Sequence, residues 1–386
     1  MSLDRRYQNV EGFAAAARRR LPRIFADYID GGAFSETTLR RNRSDFDTYA
    51  LRQRVLAPLA PANDLSVTVA GRPSALPFGP GPVGFMGLYR RDGDIAVARA
   101  AAQAGVPFVL STFSINGLRT IRLAAGAVPD FQLYLDEDPE VNAAHLEACR
   151  AEGVDRIFLT VDTAITSVRE RDVKNGFRSV DRMTPGLIWQ FAKRPGWSFD
   201  LLRGGFPEVE LVKGRPEFGK GALAQAGNLS RRLDKNLTWD TVAKLREDWN
   251  GQLFVKGICD PEDAARARDA GIDGIVLSNH GGRQLDHGLS TVSQIAAVRQ
   301  ALGPTVALMV DSGFRRGSDI VKALALGADF VLMGRPFAWA VAAAGEAGVA
   351  HLIALLAKEV EITLNLAGLS SCSALQEAGE DILRKV

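Results

Sequence analysis

From Leu76 onward the chain alternates short apolar runs with longer alanine-rich stretches, and the cycle repeats eight times. The apolar runs are Gly79–Val83, Pro107–Ser111, Phe131–Tyr134, Ile157–Asp162, Leu253–Lys256, Gly274–Ser278, Ala307–Asp311 and Phe330–Met333. Runs of this length, bounded by glycine and polar residues, predict buried strands. Between them, Gly93–Ala104, Pro139–Ala151, Pro261–Ala270 and Ser318–Ala325 carry helical patterns. The sequences Ala-Gly-Val, Glu-Gly-Val, Ala-Gly-Ile and Leu-Gly-Ala each precede a strand, with glycine at the position just past a helix end. Eight strands alternating with helices predict an α/β fold, a (β/α)8 TIM barrel. An open doubly wound sheet is the alternative, but no G-x-G-x-x-G fingerprint follows the first strand.

The rhythm has a prelude and one interruption. Asn9–Asp30 predicts two N-terminal helices, divided at Pro22 and stopped by Gly31-Gly32. Between Asp162 and Leu253 lie more residues than one crossover needs, which predicts a long insertion after strand 4, about residues 175–237. A helix around Trp239–Trp249 restores the crossover. The expected organisation is one domain over 1–386: an N-terminal helical segment 1–75, the barrel 76–345, and C-terminal helices 346–386. Val168–Phe177 is charged, whereas Met183–Phe206 holds Trp189, Phe191, Trp197, Phe199 and Phe206 among proline, glycine and basic residues. That mixture suits a lid, an oligomer contact or a loop that rests on a membrane surface.

Composition narrows the function. With 386 residues and a net charge of +2, the chain has no long-range attraction for polyanions, so nucleic acid is not an expected partner. Cys149, Cys259 and Cys372 form no metal-type pair, so no metal site is expected, and a reducing, cytoplasmic compartment is the simplest inference. Phe13–Ala17 is too short, and its arginines lie on the wrong side, for a secretory signal. The most apolar window, Ala338–Ala357, is interrupted by Glu346 and His351 and reads as a buried helix.

Polar residues collect at the C-terminal ends of the expected strands: Gln132 and Tyr134, Thr160 and Asp162, Lys256, His280, Asp311, and Gly334-Arg335. In a (β/α)8 barrel this is the face where ligands bind. The densest stretch is Gly274–Asp286, GIVLSNHGGRQLD, where a buried strand turns polar at Ser278-Asn279-His280 and breaks at Gly281-Gly282 before Arg283. An imidazole can move a proton near neutral pH, and a guanidinium can hold a carboxylate through two parallel hydrogen bonds. After the seventh strand comes Asp311-Ser312-Gly313-Phe314-Arg315-Arg316-Gly317, and after the eighth Gly334-Arg335. Small residues beside arginine on adjacent strand ends favour a phosphorylated cofactor.

The motif Ser278–Asp286, with Tyr28–Ala33, Thr38–Asn42, Ala50–Arg54, Arg169–Asp172 and Asp311–Ala328, resembles the FMN-dependent (S)-2-hydroxy-acid dehydrogenases and oxidases. The resemblance runs from about Asn9 to about Leu369. It is nearest to the quinone-linked L-lactate dehydrogenases, with L-mandelate dehydrogenases almost as near. It implies FMN as cofactor, a small 2-hydroxy acid as substrate, a quinone-type electron acceptor, attachment to the inner face of the cell membrane and a homotetramer. It also implies His280 as catalytic base with Asp162 as its charge partner, and Tyr134 bonded to the substrate hydroxyl. Arg169 and Arg283, with Tyr28, are implied to bind the substrate carboxylate. Pro82, Val83, Gly84, Ser111, Gln132, Thr160, Lys256 and Ser278 are implied around the flavin ring. Asp311, Ser312, Gly313, Phe314, Arg315, Gly334 and Arg335 are implied at its phosphate end.

Overall fold

The computed structural model describes residues 2–58, 62–177, 184–205 and 207–386; Met183 and Phe206 of the aromatic stretch lie outside them. Helix α1, Val10–Arg20, starts where the Asn9 side chain accepts the Gly12 N–H, and it buries Val10, Phe13 and Ala17. Leu21-Pro22 ends it, and α2, Arg23–Asp30, follows. A third helix, α3, spans Thr37–Ser44.

The barrel strands are β1 Phe78–Pro80, β2 Val109–Ser111, β3 Asp130–Leu133, β4 Arg156–Thr160, β5 Gln252–Ile258, β6 Gly274–Leu277, β7 Ala307–Val310 and β8 Phe330–Met333. Neighbouring strands pair in parallel from β2 to β8, and β8 pairs in turn with β1. The sheet therefore curls back on itself, and its seam lies between β1 and β2. Every residue of β1 to β4 and β6 to β8 is buried, as parallel strands covered on both faces require.

Several strands stop short of the expected ends: β1 at Pro80, β3 at Leu133, β4 at Thr160, β6 at Leu277 and β7 at Val310. The ladder ends where the chain bends into the loops. The off-ladder residues Tyr134, Asp162, Ser278 and Asp311 are the polar ones that reach the site. β5 instead runs longer and carries a register shift between Lys256 and Ile258. The bulge is at Gly257, whose φ of 108° suits glycine. A Cβ there would lie 2.7 Å from Cβ and Cγ of Asp162, so the bulge makes room for that carboxylate.

Helices α4 (Gly93–Gln103) and α5 (Pro139–Ala151) follow β1 and β3, the latter capped by Asp138 with Pro139 in its first turn. The insertion contributes α6 (Pro185–Ala192), α7 (Pro195–Leu202) and α8 (Ala222–Arg231), and α9 (Trp239–Asp248) completes the crossover to β5. α6 and α7 dock on the N-terminal helices. Phe191 and Trp197 pack on Phe25 with centroids 6.3 and 5.3 Å away. Arg20 pairs with Asp200 at 2.7 Å, and Arg194 donates to the Leu21 carbonyl at 3.0 Å.

α10 (Gly317–Ala325) precedes β8, and α11 runs from Arg335 to Leu366 with a break at Gly345 (φ 64°, ψ −149°). Among the described residues α11 is long and apolar enough to span a bilayer by length and composition. Half of its most apolar window is nevertheless buried, and it packs on α1, α4 and α10. The C-terminal segment is not helical throughout, since Leu383–Lys385 forms a strand antiparallel to Tyr49–Leu51.

Candidate active site

A cavity of about 1430 Å³, mouth included, opens at the C-terminal ends of the strands. His280 stands at its floor. Its φ of 56° is left-handed, an uncommon conformation that turns the chain sharply off β6. The Ser278 hydroxyl accepts from the His280 N–H at 3.1 Å and from Lys256 Nζ at 2.9 Å. Lys256 also faces Asp311 at 3.0 Å, and Asp311 accepts from the Ser312 hydroxyl at 2.7 Å, which in turn accepts from the Gly281 N–H at 2.9 Å. The ends of β5, β6 and β7 are thereby joined beneath the imidazole.

Nδ1 of His280 lies 3.1 Å from both carboxylate oxygens of Asp162. Facing a carboxylate, Nδ1 carries the hydrogen, which leaves Nε2 as the acceptor. Nε2 lies 3.5 Å from the Tyr134 hydroxyl. Burial foremost, with the Lys256 and Arg169 charges, lowers the His280 pKa, while Asp162 pulls it up; the net direction is down from 6.5. For Asp162, burial raises the pKa, but the imidazole and Lys256 outweigh it, so the carboxylate stays ionised. A neutral imidazole whose Nε2 is left as an acceptor, backed by a fixed anion, is equipped to accept a proton.

Two arginines flank this pair. Arg283 donates from Nη1 to the carbonyls of Tyr28 at 2.5 Å and Gly31 at 3.0 Å, and its guanidinium lies 4.6 Å from the Tyr28 ring centroid. Buried Arg169 reaches Asp172 at 3.6 Å and lies 5.9 Å from the same ring. Tyr28, Tyr134, Arg169, His280 and Arg283 all line the cavity, so the sequence-predicted substrate residues converge on one place. Asp162 stands behind His280.

The other predicted residues line the same cavity: Pro82, Val83, Gly84, Ser111, Gln132, Thr160, Lys256, Asp311, Ser312, Gly313, Phe314, Arg315, Gly334 and Arg335. Ser278 is fully buried below it. Ser111 donates to Gln132 at 2.8 Å, and Gln132 donates to Thr160 at 3.0 Å, a polar row along β2, β3 and β4. Arg335 bonds the carbonyls of Ile29, Gly31 and Gly281 at 2.7, 2.9 and 2.9 Å, fastening the C-terminal end of α2 to the β6 and β8 loops. Burial, aided by the nearby Arg43 charge, lowers Arg315 to about 10; burial, aided by Arg283 and Arg315, takes Arg335 well below its usual range. Like charges held close together away from water are relieved by an anion. A cationic end, a polar row and a buried lysine are a donor set that suits a phosphorylated flavin cofactor.

Some participants were not anticipated. Asn42 and Asn279 exchange hydrogen bonds at 2.8 and 2.7 Å, and Arg43 bonds the Gly313 carbonyl at 2.5 Å and Asp319 at 2.8 Å. These contacts seat α3 on the loops after β6 and β7. Their partners are more than 230 residues apart, so no local pattern links them. Gly257 was legible only as a glycine after a strand.

The barrel, the imidazole–carboxylate pair and the clustered arginines together define a (β/α)8 protein whose cavity suits a phosphorylated ligand. The sequence profile described as FMN-dependent dehydrogenase matches residues 17–383, and the chain belongs to that family. It is an FMN-dependent oxidoreductase. It is 41% identical over 367 residues to the L-lactate dehydrogenase of Caulobacter vibrioides, covering 95% of both chains. It is 40% identical over 363 residues to that of Pectobacterium atrosepticum, covering 93% of both. Among solved structures it superposes on the monotopic membrane protein (S)-mandelate dehydrogenase with a TM-score of 0.92 at 34% identity, covering 98% of this chain and 100% of that one. A mandelate oxidase with bound (S)-4-hydroxymandelic acid gives 0.83 at 34% identity, with 98% of each chain covered.

Proposed function

We propose that this protein oxidises L-2-hydroxy acids, L-lactate foremost, to the 2-oxo acids and passes the electrons to a quinone-type acceptor. The observation that carries the reading is the alignment of Tyr134 and His280 in the cavity, with Asp162 behind the imidazole and Arg169 and Arg283 beside it. FMN, when bound, supplies the two-electron acceptor. Arg315, Arg335, Gly334 and the Asp311–Phe314 loop would hold its phosphate end; Lys256, fixed by Ser278, would set a cation at the ring, which Ser111, Gln132, Thr160 and Pro82–Gly84 would contact.

The chain's own residues do the rest. Arg169 and Arg283 bind the substrate carboxylate, aided by the Tyr28 hydroxyl, and so fix the α-carbon. Nε2 of His280 takes the proton of the substrate hydroxyl. Asp162 stabilises the imidazolium that forms, and Tyr134 bonds the substrate oxygen as its charge changes.

The insertion supplies the second part of the proposal. Ile188, Trp189 and Phe199 are exposed at 52%, 62% and 61%, with Lys193 over the Trp189 ring at 4.8 Å and Arg203 over the Phe199 ring at 4.4 Å. Exposed aromatics paired with cations suit the interface of an anionic bilayer. We place the protein peripherally on the inner face of the cell membrane, as a homotetramer. The (S)-mandelate dehydrogenase likeness favours an aryl substrate as the second reading. Turnover of glycolate, L-lactate, longer L-2-hydroxy acids and L-mandelate, with oxygen and with a quinone analogue, tests both. The expected outcome is the highest kcat/KM for L-lactate with the quinone analogue. Preference for L-mandelate would select the second reading, and rapid peroxide formation would overturn the quinone assignment.

A further inference from the structure

The one seam in the barrel sheet, between β1 and β2, lies below two loops that form a wall of the cavity. Gly84, Phe85 and Tyr89 come from the first loop and Phe113 from the second. The loops interlock by shape. A Cβ on Gly84 would fall 2.6 Å from Cβ of Phe113, and one on Gly87 would fall 2.7 Å from Cβ of Ile115. The Phe85 N–H donates to the Phe113 carbonyl at 2.9 Å. One carboxylate joins both loops. Asp94, fully buried in the first turn of α4, accepts at Oδ2 from the Gly87 N–H at 3.2 Å, the Ile115 N–H at 3.2 Å and the Asn116 N–H at 3.5 Å.

We infer that Asp94 is a positioning residue: by tying the two loops together across the seam it holds Phe113 beside Tyr134 and sets the width of the substrate side-chain pocket. The inference rests on the hydroxy-acid reading above. Phe113 is the lever. Its ring meets Tyr134 edge-on at 5.1 Å and Phe85 at 5.5 Å, and the Tyr134 hydroxyl is the group 3.5 Å from His280 Nε2. Held there, the ring bounds the space left for a substrate side chain, and a phenyl group needs more of that space than a methyl. The bonds to Asp94 are charge-assisted, so Asp94→Asn keeps the shape while weakening the tie.

The test measures kcat/KM for L-lactate and L-mandelate in flavin-loaded wild type, Asp94→Asn, Phe113→Ala and the double variant. Phe113→Ala should raise the mandelate-to-lactate ratio about tenfold or more, the scale of a lost steric contact in a pocket. Asp94→Asn should move the ratio the same way by a smaller factor. The double variant should go no further than Phe113→Ala alone, because Asp94 acts through Phe113. An equal loss on both substrates in Asp94→Asn, or additive changes in the double variant, would overturn the inference. If Asp94→Asn fails to fold, Gly87→Ala carries the test by prying the loops apart at Ile115, with the same shift expected and an unmoved ratio overturning it. A wild type whose flavin no 2-hydroxy acid reduces takes down both this inference and the function it rests on. A wild type that turns over, with a ratio no variant moves, takes down this inference alone.

Discussion

At the scale of single residues, His280 and Asp162 illustrate how little of a site's chemistry lies in residue type. A histidine at a strand end is an ordinary feature; a histidine with left-handed φ, Nδ1 on a carboxylate and Nε2 beside a tyrosine hydroxyl has the geometry a directed proton acceptor needs. The pH dependence follows with a definite sign. In the proposed reaction His280 acts as the neutral base, and burial foremost holds its pKa below 6.5. Plotted against pH, kcat/KM should be level through neutrality and fall only as the pH drops through that lowered value. Asp162→Asn removes the group that raises the pKa, so the acid limb should move further down while the plateau drops about 10²–10⁴-fold. Stopped-flow flavin reduction across pH measures both; an acid limb above 6.5 in the wild type would contradict the assignment.

At the scale of elements, the sequence pattern anticipates the eight strands and the helices between them, because parallel strands and their crossovers are local and strongly patterned. It does not anticipate how α3 seats on the loops after β6 and β7. That contact depends on Gly313, whose φ is 93° and whose added Cβ would fall 1.9 Å from the Asn42 carbonyl oxygen. Gly303 has a comparable φ of 78°, but a Cβ there meets nothing within 4 Å. Gly303→Ala should therefore cost only backbone strain, about 1–3 kcal/mol, and retain flavin. Gly313→Ala should displace α3 and lose most of its flavin during purification. Flavin content per chain after gel filtration compares the two, and equal retention would refute the role given to α3. The seam between β1 and β2 and the terminal strand pair Tyr49–Leu51 with Leu383–Lys385 were likewise illegible, since neither leaves a periodic signal.

At the scale of the whole molecule, the aromatic insertion divides into two parts that its composition does not distinguish. Trp197 is buried and donates to the Leu88 carbonyl at 2.8 Å, and Phe191 packs on Phe25, so this half fixes the insertion to the body. Ile188, Trp189 and Phe199 face outward. Replacing these three with serine should release the protein from anionic phospholipid vesicles in a sedimentation assay while leaving lactate-dependent reduction of its flavin intact. Undiminished vesicle binding by the variant, or no binding by the wild type, would overturn the membrane-surface role proposed for these residues.

The central claim is that a carboxylate-anchored L-2-hydroxy acid gives its hydroxyl proton to His280 while the flavin is reduced. It is tested most directly by adding L-lactate anaerobically to the flavin-loaded wild type and to His280→Gln and following the oxidised-flavin absorbance. The wild type should bleach rapidly. His280→Gln should bind FMN equally well and bleach about 10²–10⁴-fold more slowly, the range general base catalysis contributes. Bleaching of His280→Gln at the wild-type rate would contradict the account.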